Sequence, residues 1–370
     1  MFFRRIGALA AAVAVVVAAC GPAASTGPKE CNVGVSWNNF QQPRWAATDK
    51  PNIEKAVKDG GGTYADFDAN LDSLQQKTDI ETLINQGADV IILLAQDENA
   101  AKSALEVAKN ANVPVIAYDR LIEDTGVLYV TFNNVGVGAA EAKAILDKVP
   151  EGNYVLIKGD PGDPNASKFL PQGWDEAGLK AAVDGGKVTI IAEQFTDAWK
   201  TETAQDNMEA IIDKANADGV KIDAVLAEND STALGVVAAL QAKNYEIVPV
   251  SGQDGDPANL QNLAAGLQYV DVWKNSNELG KAAGQAALQL CEGKALSEIT
   301  INVDATVAPL TGNKAAPFVT PGGNTVTSII LQPTPLLAAD LQKVIDGGWI
   351  TKDELCKKVT DPATAPAACQ

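Results

Sequence analysis

Short, continuous apolar runs alternate with amphipathic stretches along this chain, and partway along it the same rhythm starts again. Strands that are apolar on both faces and alternate with helices belong to parallel sheets covered on both sides. A length of 370 residues also exceeds what one hydrophobic core usually organises. The predicted fold class is therefore α/β, with two doubly wound parallel-sheet domains.

The elements follow in order. Asn32–Trp37 reads as a strand, Trp45–Lys58 as a helix, Thr63–Asp68 as a strand and Leu71–Gln86 as a helix closed by Gly87. Asp89–Ala95 is a buried strand, Glu98–Asn110 a helix, and Val113–Tyr118 and Val127–Phe132 are strands. The rhythm restarts with strands at Asn153–Lys158, Val188–Gln194, Ala224–Ala227 and Ile247–Ser251, with helices between them. Residues 301–323 are polar and rich in Pro and Gly, and read as a crossing with an exposed loop. Thr325–Leu331 is a strand, and Pro335–Asp346 and Thr351–Lys358 are helices. The halves share a weak repeat: a strand–helix–strand unit runs from Asp89 to Asp119 and another from Asp223 to Asp254, with separations of 30 and 31 residues. Each half thus places an aspartate at the carboxyl edge of a strand, where open α/β sheets bind ligands.

The first 20 residues differ from the rest. Arg4 and Arg5 precede a short apolar core, Ile6–Ala19, that ends in Val17-Ala18-Ala19-Cys20. This is the pattern of a secretory signal. Its end is similar to the bacterial lipoprotein cleavage box, which implies a lipidated Cys20 and an anchor in the cell membrane. Residues 21–30 read as a flexible tether. Without the two signal arginines the chain carries 27 basic against 47 acidic residues, a net charge of −20. Such a surface repels nucleic acid, so no nucleic-acid partner is expected.

Four cysteines remain: Cys31, Cys291, Cys356 and Cys369. An even number in an exported chain points to disulfides. Cys356 and Cys369 are close in sequence and are expected to pair, which leaves Cys31 with Cys291. The wide spacing fits no zinc or CxxC pattern, and the chain has no histidine. The usual general base and the commonest metal ligand are therefore missing. Neither a cofactor nor a metal is expected, and the enzyme classes recede.

Arginine usage is the most informative signal. Beyond the leader there are 25 lysines and only two arginines, Arg44 and Arg120, both after predicted strands. Arginine's rigid fork donates paired hydrogen bonds to neighbouring oxygens, which lysine cannot do. The alternative is that both form structural ion pairs. If the forks serve a ligand, replacement by lysine weakens binding and changes the unliganded fold little. Asp119-Arg120 joins an acceptor to a multiple donor, as sugar hydroxyls require. Asn229 opens a helix and is equally suited to capping it; Asp254 is equally suited to a turn. Of Trp37, Trp45, Trp174, Trp199 and Trp273, the loop residues Trp45 and Trp199 best suit stacking on the apolar face of a sugar ring.

Several segments, in order and at consistent spacing, resemble periplasmic sugar-binding proteins of ABC importers, of the type I fold, and among them the xylose-binding branch. They are PRW (43–45), QGADVIIL (86–93), VPVIAYDRLI (113–122), VPEGNYVLIKGDP (149–161), IDAVLAENDSTALG (222–235), SGQDGD (251–256) and DGGWITKDELC (346–356). The resemblance implies a sugar-binding set of Arg44, Trp45, Asp119, Arg120, Asn165, Trp199, Asn229, Asp254 and Lys274. It implies a monosaccharide ligand, D-xylose first and D-glucose second, a permease and an ATPase as partners, and a monomer. It further implies two lobes on a multi-strand hinge: residues 31–132 plus about 272–300, and 133–271 plus about 301–335, followed by C-terminal helices and a tail over 336–370. Crossings are expected at Phe132–Val135, near Gln268–Val272 and after Ile301. Residues 305–323 look longer than the family requires, and the cysteines are additional. Three other readings share parts of this pattern. A sugar sensor would present its ligand to a receptor. A sugar-responsive transcription regulator would need a basic N-terminal segment where the export signal lies. An exported carbohydrate-active enzyme would use carboxylates such as Asp119 and Asp254.

Overall fold

The structure, a computed structural model, describes Met1, residues 30–361 and residues 363–370. The signal, Cys20 and the tether up to residue 29 lie outside the described residues. The strands are β1 (Asn32–Trp37), β2 (Thr63–Asp68), β3 (Val90–Leu93), β4 (Val115–Tyr118), β5 (Val127–Phe132), β6 (Gly152–Lys158) and β7 (Val188–Phe195). They continue with β8 (Ala224–Ala227), β9 (Gln253–Asp254), β10 (Asp271–Trp273), β11 (Ala316–Val319), β12 (Thr325–Leu331) and β13 (Thr334–Leu336).

One sheet has the order β11-β12-β5-β4-β3-β1-β2 and is parallel except for the β11–β12 pair. Every residue of β3, β4 and β5 is buried, because helices cover both faces. Ile53 and Leu279 come from helices Lys50–Asp59 and Ser276–Cys291 on one side. Ile80 and Leu105 come from Ser73–Asn85 and Ala101–Asn110 on the other. The second assembly is β7-β6-β8, continued through a parallel bridge between Val225 and Val250 to β9-β10-β13. It is covered by Asn134–Lys148 and Leu170–Glu176 on one face and by Thr201–Asp218 and Asp230–Ala242 on the other.

Both expected disulfides are present. Cys31–Cys291 ties the start of β1 to the end of a helix packed on the same sheet, and Cys356–Cys369 closes the C-terminal segment. That segment packs Leu341, Val344, Ile350 and Leu355 against Leu260, Leu263 and Trp273.

Several expectations need correction. Ile247–Ser251, read as a strand, forms only the isolated Val225–Val250 bridge, and the strand of this segment lies further on at Gln253–Asp254. Residues 316–331 were assigned to the second lobe, but β12 pairs with β5 and completes the first sheet. The third crossing between the sheets is therefore Gln332–Pro333, not the segment after Ile301. The second falls after β10, at Lys274–Asn275, because Val272 and Trp273 still pair within the second assembly. Finally, Pro335 lies in β13 rather than opening a helix. It has no N–H to donate, and an edge strand tolerates that.

Candidate functional site

The candidate side chains lie just beyond the carboxyl ends of strands from both sheets, the position open α/β sheets reserve for ligands. Arg44 and Trp45 follow β1, Asp119 and Arg120 follow β4, and Asn165 follows β6. Trp199 follows β7, Asn229 follows β8, Asp254 ends β9 and Lys274 follows β10. All nine residues read from the sequence line one pocket. Gln42, Asp163 and Gln253 complete the lining.

Local backbone features aim these groups. Trp45–Asp49 and Asn165–Phe169 are single π-helical turns, each running into an α-helix that begins with Lys50-Pro51 or Leu170-Pro171. Proline has no N–H for the carbonyl four residues back and its ring crowds that carbonyl, so the preceding turn widens. The same six-residue spacing from site residue to proline occurs in both halves. Asp119, Ala198, Trp199 and Asp254 all have positive φ, at 60°, 54°, 58° and 108°. Such conformations are costly for these residues and persist only where the surrounding structure imposes them. The Trp199 ring lies flat on the backbone of Gly159, where an added Cβ would come within 2.2 Å of ring carbons.

The pocket is strongly ionic. Arg44 donates from Nε and Nη2 to the two oxygens of Asp49, both at 3.1 Å, from Nη2 to Asp119 at 2.9 Å and from Nη1 to Asp254 at 2.9 Å. Its guanidinium stacks 4.3 Å from the Trp45 ring centroid. Lys274 Nζ lies 3.5 Å from Asp119 and 3.6 Å from Asp254. Arg120 Nε pairs with Asp163 at 2.8 Å, and its Nη1 donates to the Ala95 carbonyl at 3.1 Å. Both arginines therefore form structural ion pairs and line the pocket as well. Each also joins a residue beside the first sheet to one beside the second. Burial raises the Asp119 carboxyl, but Arg44, Lys274 and Arg120 outweigh it and hold it down at about 2. Burial alone would lower the Arg44 guanidinium; Asp119, Asp49 and Asp254 reverse this and keep it charged. Burial pushes Asp163 up against the pull of Arg120.

Asn229 serves two ends. Its Oδ1 accepts from the Thr232 amide at 2.9 Å, capping the helix, while the residue also lines the pocket. Asn165 Oδ1 accepts from Asn134 at 2.9 Å. Of the remaining tryptophans, Trp37 is in the first core, Trp174 donates to Glu141 at 2.9 Å and Trp273 packs on Trp349. Sequence reading missed Gln42, whose Oε1 accepts from Trp45 Nε1 at 2.5 Å, and Asp163 and Gln253. The only signal for them was adjacency: each lies within two residues of a residue that was found. Among the described residues, no group of His, Cys, Asp and Glu is arranged to hold a metal ion. Asp119 and Asp254 are both engaged by the Arg44 guanidinium and the Lys274 ammonium.

Comparison with known proteins gives a consistent result. The chain is 35% identical to the D-xylose-binding periplasmic protein of Escherichia coli strain K12 over 268 residues, covering 72% of this chain and 79% of that one. It is 29% identical to the multiple sugar-binding periplasmic receptor of Rhizobium radiobacter, over 95% of this chain and 99% of that one. The crystal structure of an ABC transporter solute binding protein from Clostridium phytofermentans with bound β-D-glucose superposes with a TM-score of 0.75 at 33% identity, covering 88% of this chain and 99% of that one. These relatives are solute-binding proteins, and so is this chain; it is not an enzyme. Residues 33–295 match the periplasmic binding protein domain, and the chain belongs to that family, with its type I α/β fold.

Proposed function

We propose that this protein captures a single monosaccharide in the cleft between its two sheets and delivers it to an ABC importer, with D-xylose the first ligand and D-glucose the second. One observation carries the reading. Nine residues from seven separate segments converge on one pocket whose donors and acceptors match sugar hydroxyls. Arg44, Asp119, Arg120, Asn165, Asn229, Asp254 and Lys274 would meet the hydroxyls, and Trp45 and Trp199 the apolar ring faces. The names of the relatives support the sugar class, since they include xylose-binding and multiple sugar-binding proteins. The xylose-over-glucose ranking rests on the xylose-binding relatives against a solved neighbour holding glucose.

Opening and closing would turn on the three crossings, at Asn133–Asn134, Lys274–Asn275 and Gln332–Pro333. The protein acts as a monomer outside the cytoplasm, held to the membrane by a lipidated Cys20. Calorimetry on protein stripped of co-purified sugar by unfolding and refolding tests the ligand. Tight binding of D-xylose, with D-glucose weaker, is expected. Glucose binding without xylose overturns the ranking; binding of an amino acid and no sugar overturns the class. Metabolic labelling with a fatty acid should mark the wild type and miss Cys20→Ser.

A further inference from the structure

Asp49 does not line the pocket, yet it is the most completely buried member of the ionic network, at 0% exposure. It ends the π-helical turn that Arg44 opens, which returns its carboxylate to the guanidinium five residues back. Both of its oxygens accept from the Arg44 fork, and Oδ1 also accepts from Tyr118 Oη at 2.5 Å. Tyr118 is the last residue of β4, next to Asp119. A closed chain thus runs from Tyr118 through Asp49 and Arg44 to Asp119, entirely on the first-sheet side of the cleft. None of its members comes from the second-sheet side of the cleft. A paired, side-on carboxylate fixes both the position and the plane of a guanidinium, and a fork fixed in advance loses less freedom when a ligand arrives.

Resting on the sugar-capture reading, we propose that Asp49 is a positioning residue: it sets the Arg44 fork in its binding orientation, so that ligand affinity depends on Asp49 being ionised. The groups facing it are Arg44, Tyr118 and Asp119, with Asp256 further off. Burial raises Asp49 to about 6 against the opposing pull of Arg44 and Tyr118. Protonation then falls in an accessible range and converts the paired acceptor to a neutral acid. Asp119, at about 2, stays ionised throughout. Asp256, raised by burial to about 7, also titrates in this range.

The test is a calorimetric titration of stripped protein with D-xylose and D-glucose from pH 5 to pH 8. Wild-type affinity should fall about tenfold as pH drops through 6. Asp49→Asn should be about tenfold weaker at pH 8 and lack the step at 6, whereas Asp256→Asn should keep it. Tyr118→Phe removes a hydrogen bond that favours the ionised form of Asp49. Its step should therefore move to higher pH, a shift that a merely structural role does not produce; this variant also carries the test if Asp49→Asn fails to fold. A pH-independent wild type, a step retained in Asp49→Asn, a step lost in Asp256→Asn or a Tyr118→Phe step that does not move each overturns the inference while leaving sugar capture standing. Failure of the wild type to bind any sugar at pH 8 overturns both.

Discussion

Replacing Arg44 by lysine separates two roles that composition alone merges. If the fork were reserved for a ligand, lysine would weaken binding and leave the unliganded fold nearly unchanged, as the residue pattern predicts. The structure revises this, because four N–H groups of Arg44 are already given to Asp49, Asp119 and Asp254. Lysine offers three donors from one nitrogen and cannot lie side-on to Asp49 while reaching the other two carboxylates. One or two charge-assisted bonds are therefore lost, at roughly 1.5–3 kcal/mol each. Two of the three carboxylates, Asp49 and Asp119, lie on the same side of the cleft as Arg44, so the loss does not depend on closure. Urea unfolding of unliganded Arg44→Lys should show a loss of about 2–4 kcal/mol. Sugar affinity, measured by calorimetry, should fall by roughly 10–100-fold, or about 1.4–2.8 kcal/mol. Unliganded stability within about 0.5 kcal/mol of wild type, the range of an ordinary surface substitution, would refute the reasoning. The fork would then not be committed to those carboxylates.

Three further outcomes follow. Burial raises Asp49 and Asp256 from 3.8 to about 6 and about 7. Their stabilisation is complete below 3.8 and lost as pH rises through 6 and 7, so unliganded stability should increase from pH 8 to pH 5 in urea titrations. Asp119, held at about 2, acts in the opposite sense, and its contribution disappears only as pH falls through 2. Gly159→Ala would drive a methyl group into the Trp199 ring, from which it lies 2.2 Å away. Sugar affinity measured by tryptophan fluorescence should fall at least about tenfold, or 1.4 kcal/mol, and urea stability should fall by about 1–3 kcal/mol. Phe169 leaves the second-sheet side to pack 6.1 Å from Phe318 on β11, beside Tyr129. Phe169→Ala should weaken every bound sugar by the same factor in calorimetry, because it removes packing between the two sides of the cleft and does not touch the pocket; a change in sugar preference would contradict that.

The strands were legible because each is encoded within a few residues. β1, β2, β5, β8 and β12 fall where the apolar runs place them. The site was legible to the extent that its residues follow strands and are of unusual type: two arginines in a lysine-rich chain, and aspartates closing two similar units. Gln42, Asp163 and Gln253 were not, since a polar residue in a loop is ordinary. Asp49 was hidden too, because it reads as one more polar residue in a helix until its turn is seen to fold back on Arg44.

Taken by itself, the sequence determined the order of elements and the edge of each sheet on which its chemistry lies, since periodicity and strand ends are local. Only the tertiary structure decided that β12 joins β5, that Pro335 closes an edge strand against β10, and that both arginines bridge the cleft. Those outcomes depend on partners distant along the chain, as the separations of 75 residues from Arg44 to Asp119 and 210 to Asp254 illustrate. Which distant groups meet is settled by how two whole sheets bury their apolar faces, and no local window of sequence contains that information.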